Sequence, residues 1–101
     1  MGIETEREMA FHCSLGPDVL MVRHFVGAER LGGNFEYAVT LYSQNQNIEL
    51  EALLGKHATV EVRFGLTAPR YFDGIVSEFS HQGAEANHAL YRVVLRPWFW
   101  L

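Results

Sequence analysis

The sequence predicts a mainly β fold: a small antiparallel barrel-like domain of about six strands with one short helix. Three observations predict it. Several stretches alternate apolar and polar residues with period two, the mark of strands that bury one face. Glycine, proline and polar clusters separate those stretches at short intervals, as between closely spaced antiparallel strands. One long stretch, "RYFDGIVSEFSHQ" (70–82), carries Gly74 inside it, and a glycine-bent long strand suits a sheet that curls until few edges stay exposed.

Taken in order, "AFHCSL" (10–15) is short and predicts a first strand, paired with "DVLMVRHFV" (18–26) across the turn Gly16-Pro17-Asp18. The second stretch is more continuously apolar and rich in branched residues, which predicts a strand covered on both sides. In "NFEYAVTLYS" (34–43), Phe35, Tyr37, Val39 and Leu41 share the inward phase. "NQNIELEALLGK" (45–56) predicts the helix: Leu50, Leu53 and Leu54 fall at i, i+3 and i+4, Asn47 can cap the start, and Gly55 suits the end. At about two turns it would be stable only when laid on the sheet.

"HATVEVRF" (57–64) is the clearest strand, with Ala58, Val60, Val62 and Phe64 on one side. "GLTAP" (65–69) turns the chain into the long strand 70–82, where Gly74 reads as a bulge or bend. "QGAEAN" (82–87) reads as a polar loop, and "HALYRVVLRPWFW" (88–100) as a last antiparallel strand. Residues 1–101 form one domain by length.

The composition, 49% apolar and 20% charged, is that of a globular chain. Eight Lys and Arg against 12 Asp and Glu leave a net charge of -4, which argues against phosphate-backbone binding and against anionic membrane surfaces. The single Cys13 excludes an intrachain disulfide framework and fits a reducing compartment. Glu4, Glu6 and Glu8 stand where an export signal would carry basic residues, and the longest apolar run, 97–101, falls far short of the ~20 residues of a membrane span, so stable membrane insertion is not expected.

Catalytic patterns are missing from the residues. The five histidines, His12, His24, His57, His81 and His88, lack the HExxH and His/Cys spacings that place metal ligands on one face. Neighbouring strand residues point to opposite faces, so His12 and Cys13 do not form a dyad. The serines lack a GxSxG elbow, and the glycines form neither a P-loop nor GxGxxG. The expectation is a protein without enzymatic activity, cofactor or metal. Strand aromatics (Phe35, Tyr37, Tyr42, Phe64, Tyr71, Phe72, Phe79, Tyr91, Trp98) raise an alternative, an oligonucleotide-binding small β-barrel with a stacking platform. Most of them fall on the inward phase with Val and Leu, which favours core packing over nucleic acid.

Four stretches, "VLMVRHFVGAERLGGNFEYAVTLYSQN", "IELEALLGKHATVEV", "RYFDGIVSEFSHQG" and "YRVVLRPWFWL", together resemble the N-terminal region of the VgrG family. These are spike proteins of type VI secretion, themselves similar to the baseplate hubs of contractile-tailed phages (late control D superfamily). The most specific elements are Phe35-Glu36-Tyr37, Leu53-Leu54-Gly55, Arg70-Tyr71-Phe72 with Gly74-Ile75-Val76, and Leu95-Arg96-Pro97-Trp98. The resemblance implies a hub segment of a puncturing device, which links the spike to Hcp-type tube rings and supports trimer assembly. Baseplate or effector proteins are further implied partners, with assembly in the bacterial cytoplasm and delivery outside. It marks Phe35, Tyr37, Gly55, Tyr71, Phe72, Gly74, Arg96, Pro97 and Trp98 as family-motif residues. Phe99, Trp100 and Leu101, apolar at the end of the last strand, are expected at a junction or assembly surface.

Overall fold

The computed structural model describes residues 7–16, 19–29 and 34–97. They form six strands: β1 (Arg7–His12), β2 (Met21–Glu29), β3 (Phe35–Ser43), β4 (His57–Phe64), β5 (Arg70–Glu85) and β6 (His88–Arg96), with one 3₁₀ turn at Leu50–Ala52. All pairings are antiparallel, in the order β1-β4-β5-β6-β3-β2. The meander β4-β5-β6 forms the middle, the β2-β3 hairpin adds to β6, and β1 adds to β4. The two outermost strands, β1 and β2, also touch, so the sheet curls into a half-barrel around its inner face.

The period-two phases explain the core. Tyr37, Val39 and Leu41 of β3, Ala58, Val60 and Val62 of β4, and Ala89, Tyr91, Val93 and Leu95 of β6 are all buried on the inner face. Each fully buried Val or Leu side chain among them contributes roughly 1.5–3 kcal/mol. In β5 the register slips between Val76 and Glu78, a bulge that puts both Val76 and Phe79 inside although they are three residues apart. The Tyr91 ring stacks on Phe79 at 5.2 Å, and its hydroxyl donates to the Asn45 carbonyl at 2.8 Å, tying the 44–49 connection to the core.

Four expectations are corrected. The first strand starts earlier, at Arg7, and pairs with β4 rather than β2, with Phe11 opposite Val60. The strand order puts β1 and β2 at opposite ends of the sheet, and the connection between them sets Leu20, 2% exposed, into the core. β2 is accordingly an edge strand, with Arg23, His24, Val26, Gly27 and Ala28 exposed rather than covered on both sides. A bulge at Arg23 lets Val22 and Phe25 both turn inward, which accounts for the irregular apolar run.

The predicted helix is a single 3₁₀ turn. Only Leu53 is buried, at 0%, while Leu50 and Leu54 stay 46% and 40% exposed. The segment before it is extended, and Asn47 instead donates its amide to the Asn45 side chain. Gly55, at φ +79°, then redirects the chain so that its amide bonds the Val76 carbonyl at 2.8 Å. Finally, the 82–87 loop shrinks to the two-residue turn Ala86-Asn87, both at positive φ, because β5 runs on to Glu85 against His88. Gly74 does lie inside one long strand, but the bulges fall at Ser77 and Gln82. The Pro17-Asp18 turn and Trp98, Phe99, Trp100 and Leu101 lie outside the described residues.

Candidate functional site

The motif residues are scattered in sequence, and the sheet register gathers most of them at one junction. Tyr37 of β3 lies opposite Leu95 of β6, Leu95 lies opposite Val76 of β5, and Arg96 lies opposite Ile75. Inside the sheet at this level, Phe35 and Tyr37 stack with ring centroids 4.6 Å apart. Phe72 meets Tyr37 edge-on at 5.4 Å, and Phe25 of β2 contacts Phe72 at 5.0 Å and Tyr37 at 5.8 Å. Offset and edge-on contacts of this kind contribute about 0.5–1.5 kcal/mol each beyond burial. The Arg70 guanidinium covers the Phe72 ring at 5.4 Å.

Two glycines make room for the rings. A Cβ on Gly27 would lie 3.1 Å from Tyr37 Cδ1, and one on Gly74 would lie 2.9 Å from Leu95 Cβ and 3.1 Å from Phe35 Cε1. On the outer face of the same junction, Arg96 spans three strands. Its Nη1 donates to Ser77 Oγ at 2.7 Å and to Glu78 Oε2 at 3.2 Å, and its Nη2 pairs with Glu36 Oε1 at 3.4 Å. Gly55 sits on the far side of β5, bonded to Val76, and Pro97 is buried just past β6. Tyr71 does not join the junction: it is exposed on the outer face, opposite Glu61.

Phe25, Gly27, Ser77 and Glu78 belong to this arrangement without having been singled out. Their signal was weak, because the register slips at Arg23 and Ser77 that align them leave no period of their own. Of the aromatics offered for base stacking, Tyr37, Phe79 and Tyr91 are buried, Phe35, Tyr42 and Phe72 half-buried, and Tyr71 exposed.

The outer face over β1, β4 and β5 carries a second polar cluster. His12 Nε2 donates to Glu61 Oε1 at 2.8 Å, which places its proton on Nε2, and Arg63 reaches the other Glu61 oxygen at 3.3 Å. The His12 hydrogen bond, reinforced by the nearby positive charges, holds the Glu61 carboxyl below its ordinary range. Thr59 donates its hydroxyl to Asp73, with His57 Nε2 3.6 Å from the same carboxylate. This is a lattice of pairs rather than a proton relay aimed at a cavity. Burial pushes the Cys13 thiol up, away from a reactive thiolate. Among the described residues, no group of three His, Cys, Asp or Glu side chains is placed to hold a metal ion, and no helix is long and apolar enough to cross a membrane.

A curled antiparallel sheet whose distinctive residues converge on packing and strand-bracing defines a β domain built around a packed, cross-braced junction. The chain belongs to the phage tail baseplate hub (GPD) family, whose model matches residues 28–101. It is 38% identical over 99 residues to the type VI secretion system spike protein VgrG1a of Pseudomonas aeruginosa, covering 98% of this chain and 15% of that protein. It is 40% identical over 87 residues to VgrG1c of the same organism, covering 86% of this chain and 12% of the relative. The chain thus spans under a sixth of the length of these relatives. Among solved structures it resembles the Escherichia coli c3393 protein, described as a type VI secretion component similar to the bacteriophage T4 tail proteins gp27 and gp5. There the TM-score is 0.71 at 27% identity, over 86% of this chain and 23% of the other.

Proposed function

We propose that this segment is the N-terminal hub part of a type VI secretion spike, a structural element that links the spike to Hcp-type tube rings and supports trimer assembly. Assembly takes place in the bacterial cytoplasm, and the device carries the segment outside the cell. The observation that carries the reading is the 38% identity to a spike protein over 98% of the chain, on a sheet that Arg96 braces across β3, β5 and β6. A component that passes mechanical load needs broad, stiff β structure and interfaces rather than a catalytic pocket.

The test is light scattering on the full-length spike polypeptide carrying this segment, alone and with purified ring protein. A trimer that retains the rings is the expected result. A monomer indifferent to added rings overturns the reading, and salt-sensitive capture of fluorescent single-stranded oligonucleotides would move it to the nucleic-acid alternative.

A further inference from the structure

The C-terminal end of β6 is gripped from both sides. β6 is a central strand, laddered to β5 along 88–96 and to β3 along 89–95. At its last residue the Arg96 guanidinium holds Glu36 of β3 with one nitrogen and Ser77 and Glu78 of β5 with the other. Ser77 completes the loop by donating its hydroxyl to the Val94 carbonyl at 3.1 Å. Ser77 and Glu78 stand where the β5 register slips, and a bulge re-aims side chains, here bringing both within reach of one arginine. Arg96 is only 18% exposed although its carboxylate partners are about half exposed.

Isolated surface pairs contribute little, but a planar fork that binds two neighbouring strands resists the motion that separates them. Strand ends ordinarily fray first, one ladder bond at a time. We propose that Arg96 is a lock on the C-terminal end of β6: it pins the strand to β3 and β5 so that load arriving at that end is passed to the whole sheet instead of peeling β6 away. The mechanical purpose rests on the spike reading above; the lock is a property of this chain alone.

Hydrogen exchange by mass spectrometry on the 101-residue chain tests it. In Arg96→Gln, peptides covering 93–97 and 35–38 are expected to exchange about tenfold faster, with 88–92 unchanged. Ser77→Ala, a smaller change that preserves folding if Arg96→Gln does not, is expected to accelerate the same peptides about threefold. Arg92→Gln, on β6 like Arg96 but making only a single 3.5 Å contact to Glu78 of β5, serves as the control and leaves 93–97 as in the parent. Unchanged exchange at 93–97 overturns the lock, and so does equal acceleration along all of β6, which would mean ordinary loss of stability. Failure of the spike to trimerise or hold rings would remove the spike reading and leave the exchange result standing.

Discussion

Gly74 and Leu95 approach so closely across β5 and β6 that a Cβ on the glycine would lie 2.9 Å from the leucine Cβ, with the Arg96 carbonyl at 3.2 Å and Phe35 Cε1 at 3.1 Å. The contact needs no unusual backbone at Gly74, only the absence of a side chain. Leu95 is fully buried, so it has nowhere to retreat.

Gly74→Ala therefore overpacks the junction, and the expected cost is about 1–3 kcal/mol in urea denaturation. Gly55→Ala is the informative comparison. A Cβ there meets open space, but the backbone sits at φ +79°, so its cost of about 1 kcal/mol comes from conformation alone. A Gly74→Ala protein as stable as the parent would show that β5 and β6 can separate locally at no cost.

Leu53 and Leu54, adjacent in sequence, have opposite fates. Leu53→Ala is expected to lose about 2–5 kcal/mol, since the side chain is wholly buried, and Leu54→Ala less than about 1 kcal/mol. Thermal melts of the pair distinguish a lone buried anchor from the amphipathic helix that the spacing suggests, in which both would matter.

At the β5-β6 turn, Ala86 and Asn87 adopt φ values of +50° and +68°. Asparagine tolerates this region far better than alanine, so Ala86→Asn should raise stability by about 0.5–1 kcal/mol. A drop in the urea midpoint would contradict the turn geometry.

Glu61 makes the sheet's outer face sensitive to acid. Its carboxyl is held below the ordinary range by the His12 hydrogen bond. The folded value lies under the unfolded one, so the stabilisation is complete above the unfolded carboxylate range and is lost as pH falls through the folded value. Urea midpoints of the parent and Glu61→Gln should differ at neutral pH and converge in acid. A gap that persists unchanged into acid would assign the effect to something other than ionisation.

Much of the sheet was readable from residue order because strand faces follow a local rule. Alternation alone placed Val39, Leu41, Ala58, Val60 and Val62 on the buried phase, and Gly74 stood out as a glycine within a long strand. The resemblance of scattered motifs pointed to the hub family, yet it said nothing of why Phe35, Phe72, Gly74 and Arg96 go together. Their meeting depends on the β3-β6 and β5-β6 registers, and two of those strands are separated by more than forty residues of chain.

The sequence by itself determined which faces β3 and β4 bury, since along a regular extended backbone a side chain's face follows from its position; in β2 and β5 the bulges broke that rule. Tertiary structure decided which strands become neighbours. In the folded sheet β1 lies against β4, β2 is left at the rim, and the 45–56 segment holds one 3₁₀ turn where its leucine spacing asked for a helix. Those outcomes depend on how a curled sheet distributes its edges and fills its interior, a competition among distant segments that no short stretch of residues can resolve alone.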